Sequence, residues 1–279
     1  MATIIGAVAT SHIPAIGTAM ARKLQADPYW KPFFEGYPPV TAWLERMRPD
    51  VAVVMYNDHG LNFFLDKMPT FAVGAAPEYR NADEGWGLDP AAPFTGHPAL
   101  SWHLIDSLVA DEFDVTTCQE MLVDHGFTVP MGLLWPERRS LPRSVPIVVN
   151  TVQHPLPKPS RCYKFGCAVG KAINSFPEEL RVVVVATGGL SHQLDGQRAG
   201  FINRDFDLMC IEKIINDPVA LTRYSIRDIV EQAGSQGVEL LMWLMMRGAL
   251  GGAVKCLHRH YHIPISNTAA GLLLLETAA

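Results

Sequence analysis

Short apolar runs alternate with longer stretches of helical periodicity along most of the chain. Five runs are rich in β-branched residues and end in turn-forming residues: Thr3–Thr10, Val51–Tyr56, Phe71–Ala75, Val145–Thr151 and Arg181–Ala186. Apolar residues recur with helical spacing in Ala99–Ala110, Phe165–Phe176 and Arg204–Ile215. Strands that alternate with helices favour an α/β fold, and nearly continuous apolar strands indicate that both faces of the sheet are covered. We therefore predict a mixed, mostly parallel central sheet flanked by helices.

The pattern continues without a linker or an internal repeat, so we predict one large domain over residues 1–279. The stretch Asn81–Pro98 contains six glycine or proline residues and predicts a long loop. Loops of this length in compact domains are usually functional or mobile. The apolar stretch Gln236–Gly248 predicts a buried helix with Glu239 in its first turn.

The composition limits the possible functions. Apolar residues make up 48% of the chain, enough for a sizeable core, and the net charge of −5 argues against partners such as nucleic acid or anionic membranes. Five cysteines without a C-x-x-C pair argue against a disulfide framework and favour a reducing compartment. The first residues lack the basic segment of a signal peptide, and Val238–Val254 is interrupted by Glu239 and Arg247. We expect a cytoplasmic protein.

Four histidines lie just after predicted strands or apolar stretches. His12 follows the first strand, His59 the second, His192 the strand Arg181–Ala186, and His125 the short apolar stretch at residues 113–118. In open α/β sheets, ligands bind beyond the carboxyl ends of the strands. A single histidine is more often a core or surface side chain, but four at such junctions favour one shared active site at this edge of the sheet.

A metal site would need an anionic ligand beside neutral imidazoles, and such a set suits iron, zinc or copper. The candidate carboxylates are Asp58, Asp124 and Glu239. Glu239 is the most informative, because a buried ionised glutamate is unfavourable unless it is paired or binds a metal. A glutamate in a first helical turn can equally be favoured by the helix dipole. The residue types leave this choice, and the identity of the metal, open.

Two other patterns are weaker candidates. His258, His260 and His262 alternate like one face of a strand, but a histidine tract is by itself weak support for a metal site. The segment Thr187–His192 could cradle a phosphate, yet it lacks the lysine of a P-loop and the third glycine of a dinucleotide fingerprint.

Several motifs occur together, in order, from the first strand to the last ten residues. They are T-S-H-I-P-A-I-G at 10–17, Y-N-D-H at 56–59, A-D-E-G-W-G at 82–87, D-H-G-F-T-V-P at 124–130, T-G-G-L-S-H-Q at 187–193, G-V-E-L-L-M-W-L-M-M-R-G-A-L at 237–250 and Y-H-I-P-I-S-N-T-A at 261–269. In these motifs the chain resembles the LigB-type (class III) extradiol dioxygenases, and among them the β subunits of protocatechuate 4,5-dioxygenases.

The resemblance implies a set of functional residues. Fe(II) would be bound by His12, His59 and Glu239, as a facial triad of two histidines and one carboxylate with open positions. His192 would be the catalytic acid/base, and His125 would line the pocket as the second catalytic candidate. The resemblance also implies that Ser266 and Asn267 contact the carboxylate of the substrate.

The activity implied is the extradiol cleavage of a carboxylated catechol with O₂, with protocatechuate 4,5-cleavage as the first expectation. Gallate and 3-O-methylgallate are alternative substrates, since gallate dioxygenases are similar through the first two thirds, including Gln153–Pro155. The resemblance also implies a small helical α subunit that closes over the active site. Two other functions stay open: a zinc hydrolase that uses the same ligands, and a non-enzymatic binding protein similar to Memo.

Overall fold

The computed structural model describes residues 1–85 and 92–278. The strands are β1 Thr3–Thr10, β2 Val51–Tyr56, β3 Phe71–Gly74, β4 Glu78–Asn81, β5 Phe94–Thr95, β6 Thr116–Cys118, β7 Leu122–Val123, β8 Arg143–Val149, β9 Arg181–Thr187, β10 Val254–Ile265 and β11 Thr268–Thr277. The helices are α1 Pro14–Ala21, α2 Lys31–Phe34, α3 Pro38–Met47, α4 Pro98–Ala110, α5 His125–Leu134, α6 Pro159–Ser175, α7 Arg204–Asn216, α8 Pro218–Leu221, α9 Ile226–Ala233 and α10 Leu240–Leu250, the last preceded by a 3₁₀ turn, Gly237–Glu239.

The main sheet has the strand order β10-β11-β1-β9-β2-β8-β3-β6. Its central strands β1, β9, β2 and β8 are parallel to one another, whereas β10, β11 and β3 join through antiparallel pairings. This confirms the prediction of a mixed, mostly parallel sheet in an α/β fold. The carboxyl ends of β1, β9 and β2 therefore lie side by side at one edge of the sheet.

Helices cover both faces of the central strands, as their continuous apolar sequence predicts. Every residue of β2 is buried, and so is every residue of β9 after Arg181. The helices α6 and α10 pack against each other, and α10 contacts β1, β2 and β9. A second group, α1, α3 and α5, reaches β2 and β9 through α5. Side-chain burial on both faces fixes the strands that carry the candidate histidines.

The structure corrects several boundaries. Strand β8 begins and ends two residues earlier than predicted, and α6 begins six residues earlier, with Pro159 as its first residue. Glu239 lies in the 3₁₀ turn rather than in the first turn of an α-helix. The predicted loop Asn81–Pro98 contains β5, and residues 86–91 of it lie outside the described residues. All five cysteines are free, as predicted.

Among the residues described, no helix combines the length and the apolar character required to cross a bilayer.

Candidate metal centre at the carboxyl ends of the parallel strands

Three of the predicted site histidines come from adjacent parallel strands. His12 lies two residues beyond β1, His59 three residues beyond β2, and His192 five residues beyond β9. His12 and His192 are buried, and His59 is half-buried. His125 joins them from the first residue of α5. The sheet topology thus brings together residues that are up to 180 positions apart in sequence.

The imidazoles form a compact cluster. The ring centroid of His12 lies 5.2 Å from that of His59 and 5.5 Å from that of His125. His59 and His125 stack on each other at 3.9 Å. One ligand atom from each of these three residues lies within 4.8 Å of the other two, a spacing that one metal ion can bridge. Neutral imidazoles at such distances suit a divalent transition metal.

Each of the four imidazoles is held through its Nδ1 atom, which leaves Nε2 directed away from that contact. The Nδ1 contacts are Thr187 Oγ1 for His12 (3.0 Å), Asp124 Oδ2 for His59 (2.9 Å), Glu84 Oε1 for His125 (2.6 Å) and the Leu190 carbonyl for His192 (3.2 Å). A partner on one ring nitrogen fixes both the tautomer and the orientation of a metal-binding histidine. The arrangement is the one that a preformed metal site requires.

Glu239 supplies a buried negative charge to this cluster. Its Oε2 atom lies 3.4 Å from His12 Nε2 and 3.9 Å from His192 Nε2, and its side chain is about 6% exposed. Burial by itself raises the pKa of Glu239, but the adjacent His12 and His192 imidazoles bring that pKa well below its usual value. The carboxylate is therefore ionised and available as an anionic ligand.

The two glycines after β9 allow this close approach. The backbone of Gly188 has φ 121°, and a Cβ atom there would lie 2.8 Å from the Cβ of Glu239. The next residue, Gly189, donates its N–H to Glu239 Oε2 at 2.7 Å. Any larger residue at position 188 would be strained, and its Cβ would collide with that of Glu239, so the Gly-Gly pair accommodates the Glu239 side chain.

The other two candidate carboxylates have different roles. Asp58 accepts hydrogen bonds from the N–H groups of residues 60–63 and so organises the loop after His59. Asp124 is the N-cap of α5 and accepts from both the N–H and the Nδ1 of His59. Despite burial, this contact lowers the pKa of Asp124 and raises that of His59. Glu239 is thus the candidate carboxylate that lies near the Nε2 atoms of His12 and His192.

Two residues of the site were missed by the sequence analysis. Glu84 binds His125 twice, accepting from its N–H at 2.8 Å and contacting its Nδ1 at 2.6 Å. Asn57 lies between two candidate ligands, with its Nδ2 atom 3.0 Å from His59 Nε2 and 3.4 Å from Glu239 Oε1. Both belong to motifs quoted above, but neither residue type by itself signals a role in metal binding.

Ser266 and Asn267 form the turn between β10 and β11. Ser266 is exposed, with φ 55°, and Asn267 is half-buried. The following residue, Thr268, pairs with His192 as an isolated antiparallel bridge. The turn therefore borders the loop that carries His192, although no contact joins its side chains to the histidine cluster among the described residues.

The remaining histidines lie apart from the cluster. His258, His260 and His262 belong to β10 at the edge of the sheet, and His260 donates from Nε2 to the carbonyl of Pro32. His97 is buried in the loop before α4, where its ring accepts a hydrogen bond from the Leu100 N–H and caps the helix.

Replacing Asp124 by asparagine should weaken metal binding about 10- to 100-fold, the usual effect of removing a residue that orients a metal ligand. The reason is that His59 would lose the carboxylate that holds its Nδ1 and its backbone N–H. Isothermal titration of metal into the purified chain measures the change. Asp66→Asn, at an exposed position, is the control and should bind as the unmodified chain does. Equal affinities would remove Asp124 from the site.

The chain is similar in sequence to known dioxygenases. The chain is 43% identical over 196 residues to a gallate dioxygenase of Pseudomonas putida KT2440, which covers 70% of the chain and 57% of that enzyme. It is 33% identical over 153 residues to a 2,3-dihydroxyphenylpropionate/2,3-dihydroxicinnamic acid 1,2-dioxygenase of Comamonas testosteroni, covering 54% of the chain and 46% of that enzyme. The match thus spans about half the length of these relatives.

The fold and the family are supported by two further comparisons. A crystal structure of an uncharacterized Escherichia coli K12 protein superimposes with a TM-score of 0.59 over 97% of the chain and 99% of that protein, at 15% identity, which shows a shared fold. The family model described as the catalytic LigB subunit of aromatic ring-opening dioxygenase matches residues 6–272. The chain therefore belongs to the LigB family of aromatic ring-opening dioxygenase subunits.

Proposed function

We propose that the chain catalyses the extradiol cleavage of a carboxylated catechol, with Fe(II) as cofactor and O₂ as co-substrate. The observation that carries this proposal is a buried cluster in which the His12 and His59 rings are in contact and the ionised Glu239 lies 3.4 Å from His12 Nε2 and 3.9 Å from His192 Nε2. Two neutral histidines and one carboxylate on one side of a site leave coordination positions for other ligands.

The residues fit a divalent metal, because His12 Nε2 lies 3.4 Å from the buried carboxylate of Glu239 and a ligand atom of His59 lies within 4.8 Å of one on His12. His12, His59 and Glu239 would hold the ion. When bound, Fe(II) would supply Lewis-acid activation of a catechol hydroxyl and the redox chemistry that O₂ requires. Zinc accepts the same ligands but supplies no redox chemistry, so the metal decides between this proposal and a hydrolase.

The chain's own residues would manage the protons. His192 Nδ1 donates to the Leu190 carbonyl, so in the neutral ring Nε2 carries the lone pair and can accept a proton from a substrate hydroxyl. His125 is fixed in the same sense by Glu84 and would line the pocket beside it. Burial lowers the pKa of His125, which favours its neutral form. The two imidazoles can therefore act as acceptors toward a catechol.

Gallate is the better supported substrate. The relative that is 43% identical is a gallate dioxygenase, which favours gallate over protocatechuate, the first expectation from the sequence motifs. Both compounds carry a carboxylate on a catechol ring, and the proposed role of Ser266 and Asn267 as hydrogen-bond donors to that carboxylate fits either.

The test uses the chain loaded anaerobically with Fe(II). Oxygen uptake and the appearance of a coloured ring-opened product are measured with gallate, protocatechuate, 3-O-methylgallate and plain catechol. We expect turnover with the carboxylated catechols, highest with gallate, and none with zinc-loaded protein. Absence of oxygen uptake with every substrate, with and without a candidate partner subunit, would contradict the proposal in favour of a hydrolase or a Memo-like binding protein.

Alanine at both Ser266 and Asn267 should reduce the preference for gallate over catechol. A carboxylate that loses its hydrogen-bond donors in a partly desolvated site costs about 1–3 kcal/mol, or roughly 5- to 150-fold in kcat/KM. The ratio of kcat/KM for the two substrates is the measurement. Ser175→Ala, distant in α6, is the control. An unchanged ratio would mean that other residues, or a partner chain, hold the carboxylate.

We propose that a small helical α subunit covers the site. Large apolar side chains are exposed in segments that directly follow candidate site residues, including Phe64 (58%) and Leu65 (70%) after His59 and Leu194 (55%) after His192. Apolar rims of this kind suit a partner that excludes water. Adding such a subunit should raise kcat/KM, and full activity of the chain alone with no gain would contradict this.

We also propose that the protein works in the cytoplasm, since five free thiols and an oxidisable Fe(II) site are both favoured by a reducing compartment.

A further inference from the structure

A buried carboxylate outside the histidine cluster contacts the residue next to His192. Asp207 lies in the first turn of α7 and is 1% exposed. Its Oδ1 atom accepts from the N–H of Ser191 at 2.9 Å and from the Ser191 hydroxyl at 2.6 Å. Its Oδ2 atom accepts from the Tyr261 hydroxyl at 2.8 Å.

This carboxylate is balanced by hydrogen bonds alone within the described residues, where no lysine or arginine forms an ion pair with it. Burial raises the pKa of Asp207 to about 6, although the bonds from Ser191 and Tyr261 oppose the rise. Burying a carboxylate is unfavourable unless its oxygen atoms accept hydrogen bonds. A neutral side chain would satisfy helix packing at lower cost, so this position calls for a reason other than packing.

Asp207 and its two partners belong to three separate segments. Ser191 lies in the loop after β9, Asp207 in α7, and Tyr261 in β10 of the hairpin that carries Ser266 and Asn267. The loop has other contacts as well: Gly189 donates to Glu239 Oε2, Ala269 donates to the Ser191 carbonyl at 2.9 Å, and His192 donates to the Ala233 carbonyl at 2.8 Å. Asp207 supplies the side-chain contacts that fix the loop immediately before His192.

We propose that Asp207 is a positioning residue for His192, acting through Ser191, in the ring cleavage proposed above. The carboxylate accepts from both hydrogen-bond donors of Ser191, and the peptide that follows sets the direction in which the His192 ring points. The hydrogen bond from Tyr261 connects the same carboxylate to the β10–β11 hairpin, which carries the proposed substrate-binding residues. The aim of His192 toward the metal-binding side chains would thus depend on a residue that contacts neither metal nor substrate.

Two variants each remove one hydroxyl donor from the same carboxylate. Ser191→Ala removes a donor on the side of His192, and Tyr261→Phe removes one on the side of the hairpin. A purely structural role predicts similar losses of thermal stability and unchanged turnover in both. The positioning role predicts a larger loss of kcat in Ser191→Ala, on the order of 10-fold, since a misplacement of about 1 Å can cost as much as 10²-fold.

Asp207→Asn should lower kcat at least as much as Ser191→Ala, with KM and iron content nearly unchanged. In a His192→Ala background, neither substitution should lower the residual rate further, because their effect passes through the missing ring. Asp205→Asn, exposed on the same helix, is the matched control and should leave the rate unaltered. Additive losses in the double variants, or unchanged kcat in both single variants, would overturn the proposal.

A measurement without turnover separates this proposal from the proposed reaction. The imidazole Cε1–H signal of His192 in metal-free protein can be assigned by its loss in His192→Ala. Asp207→Asn and Ser191→Ala should shift that signal, and Asp205→Asn should not. A shift in a chain that fails to cleave catechols would support the positioning role and contradict only the reaction. An unshifted signal would overturn the positioning role whatever the activity.

Discussion

Alanine in place of Glu239 is expected to abolish metal binding and ring cleavage together. The carboxylate is the anionic group that closes the cluster, at 3.4 Å from His12 Nε2, and its removal would leave imidazoles without a charge to match a divalent ion. Metal catalysis contributes several kcal/mol to transition-state stabilisation. We therefore expect kcat/KM to fall by at least ~10³-fold, with iron content measured in the same samples.

The variant to compare with Glu239→Ala is His125→Ala. His12, His59 and His125 offer ligand atoms within 4.8 Å of one another, so a site of three histidines is a geometric alternative. We expect His125→Ala to keep its iron and Glu239→Ala to lose it. Glu231→Ala, exposed in α9, controls for general effects of removing a glutamate. Full iron occupancy in Glu239→Ala would transfer the ligand role to His125.

The central strands could be predicted because burial on both faces leaves a direct mark on the sequence. Strands β1 and β2 have the predicted boundaries, since each is an apolar run closed by polar or turn-forming residues. The positions of His12, His59 and His192 beyond the strand ends followed from that same pattern and the rule for open α/β sheets. The topology of the parallel strands then brings the three residues together.

The C-terminal hairpin was not predicted as a strand pair from apolar runs, for a physical reason. Strand β10 is an edge strand, with exposed lysine and arginine and with half-buried histidines. Edge strands commonly hold charged residues that discourage pairing with other chains, so their sequence lacks the continuous apolar character of central strands. The strands β5 and β7 have two residues each and are too short to show a periodic pattern of apolar residues.

The residues that support the site could not be found from local sequence. Glu84 is 41 positions from His125, and Asn57 is 182 positions from Glu239, so each contact depends on how separate segments pack. Charged or amide residues in loops are common, and their default interpretation is exposure to solvent. What distinguishes Glu84 and Asp124 is that each meets an imidazole nitrogen and the backbone N–H of the same residue.

Alanine in place of His192 is expected to lower kcat by ~10²–10⁴-fold, the usual contribution of general acid–base catalysis, while metal and substrate still bind. The ring is buried and its Nδ1 is engaged with the Leu190 carbonyl, so Nε2 is the atom that can exchange a proton with a catechol hydroxyl. His192 Nε2 lies 3.9 Å from Glu239 Oε2, whereas His12 Nε2 lies 3.4 Å from the same atom. His192 is therefore close to the proposed metal position without being one of the proposed ligands.

The expected signature is a loss in kcat with iron content unchanged and KM altered little, because the missing group acts on the proton in the transition state rather than on binding. His103→Ala, in α4, is the control, since that ring contacts the end of α6 and not the cluster. A fall of less than about tenfold would mean that another group takes the proton. His125, whose Nδ1 is fixed by Glu84 and whose ring stacks on His59, would then be the acceptor to replace next.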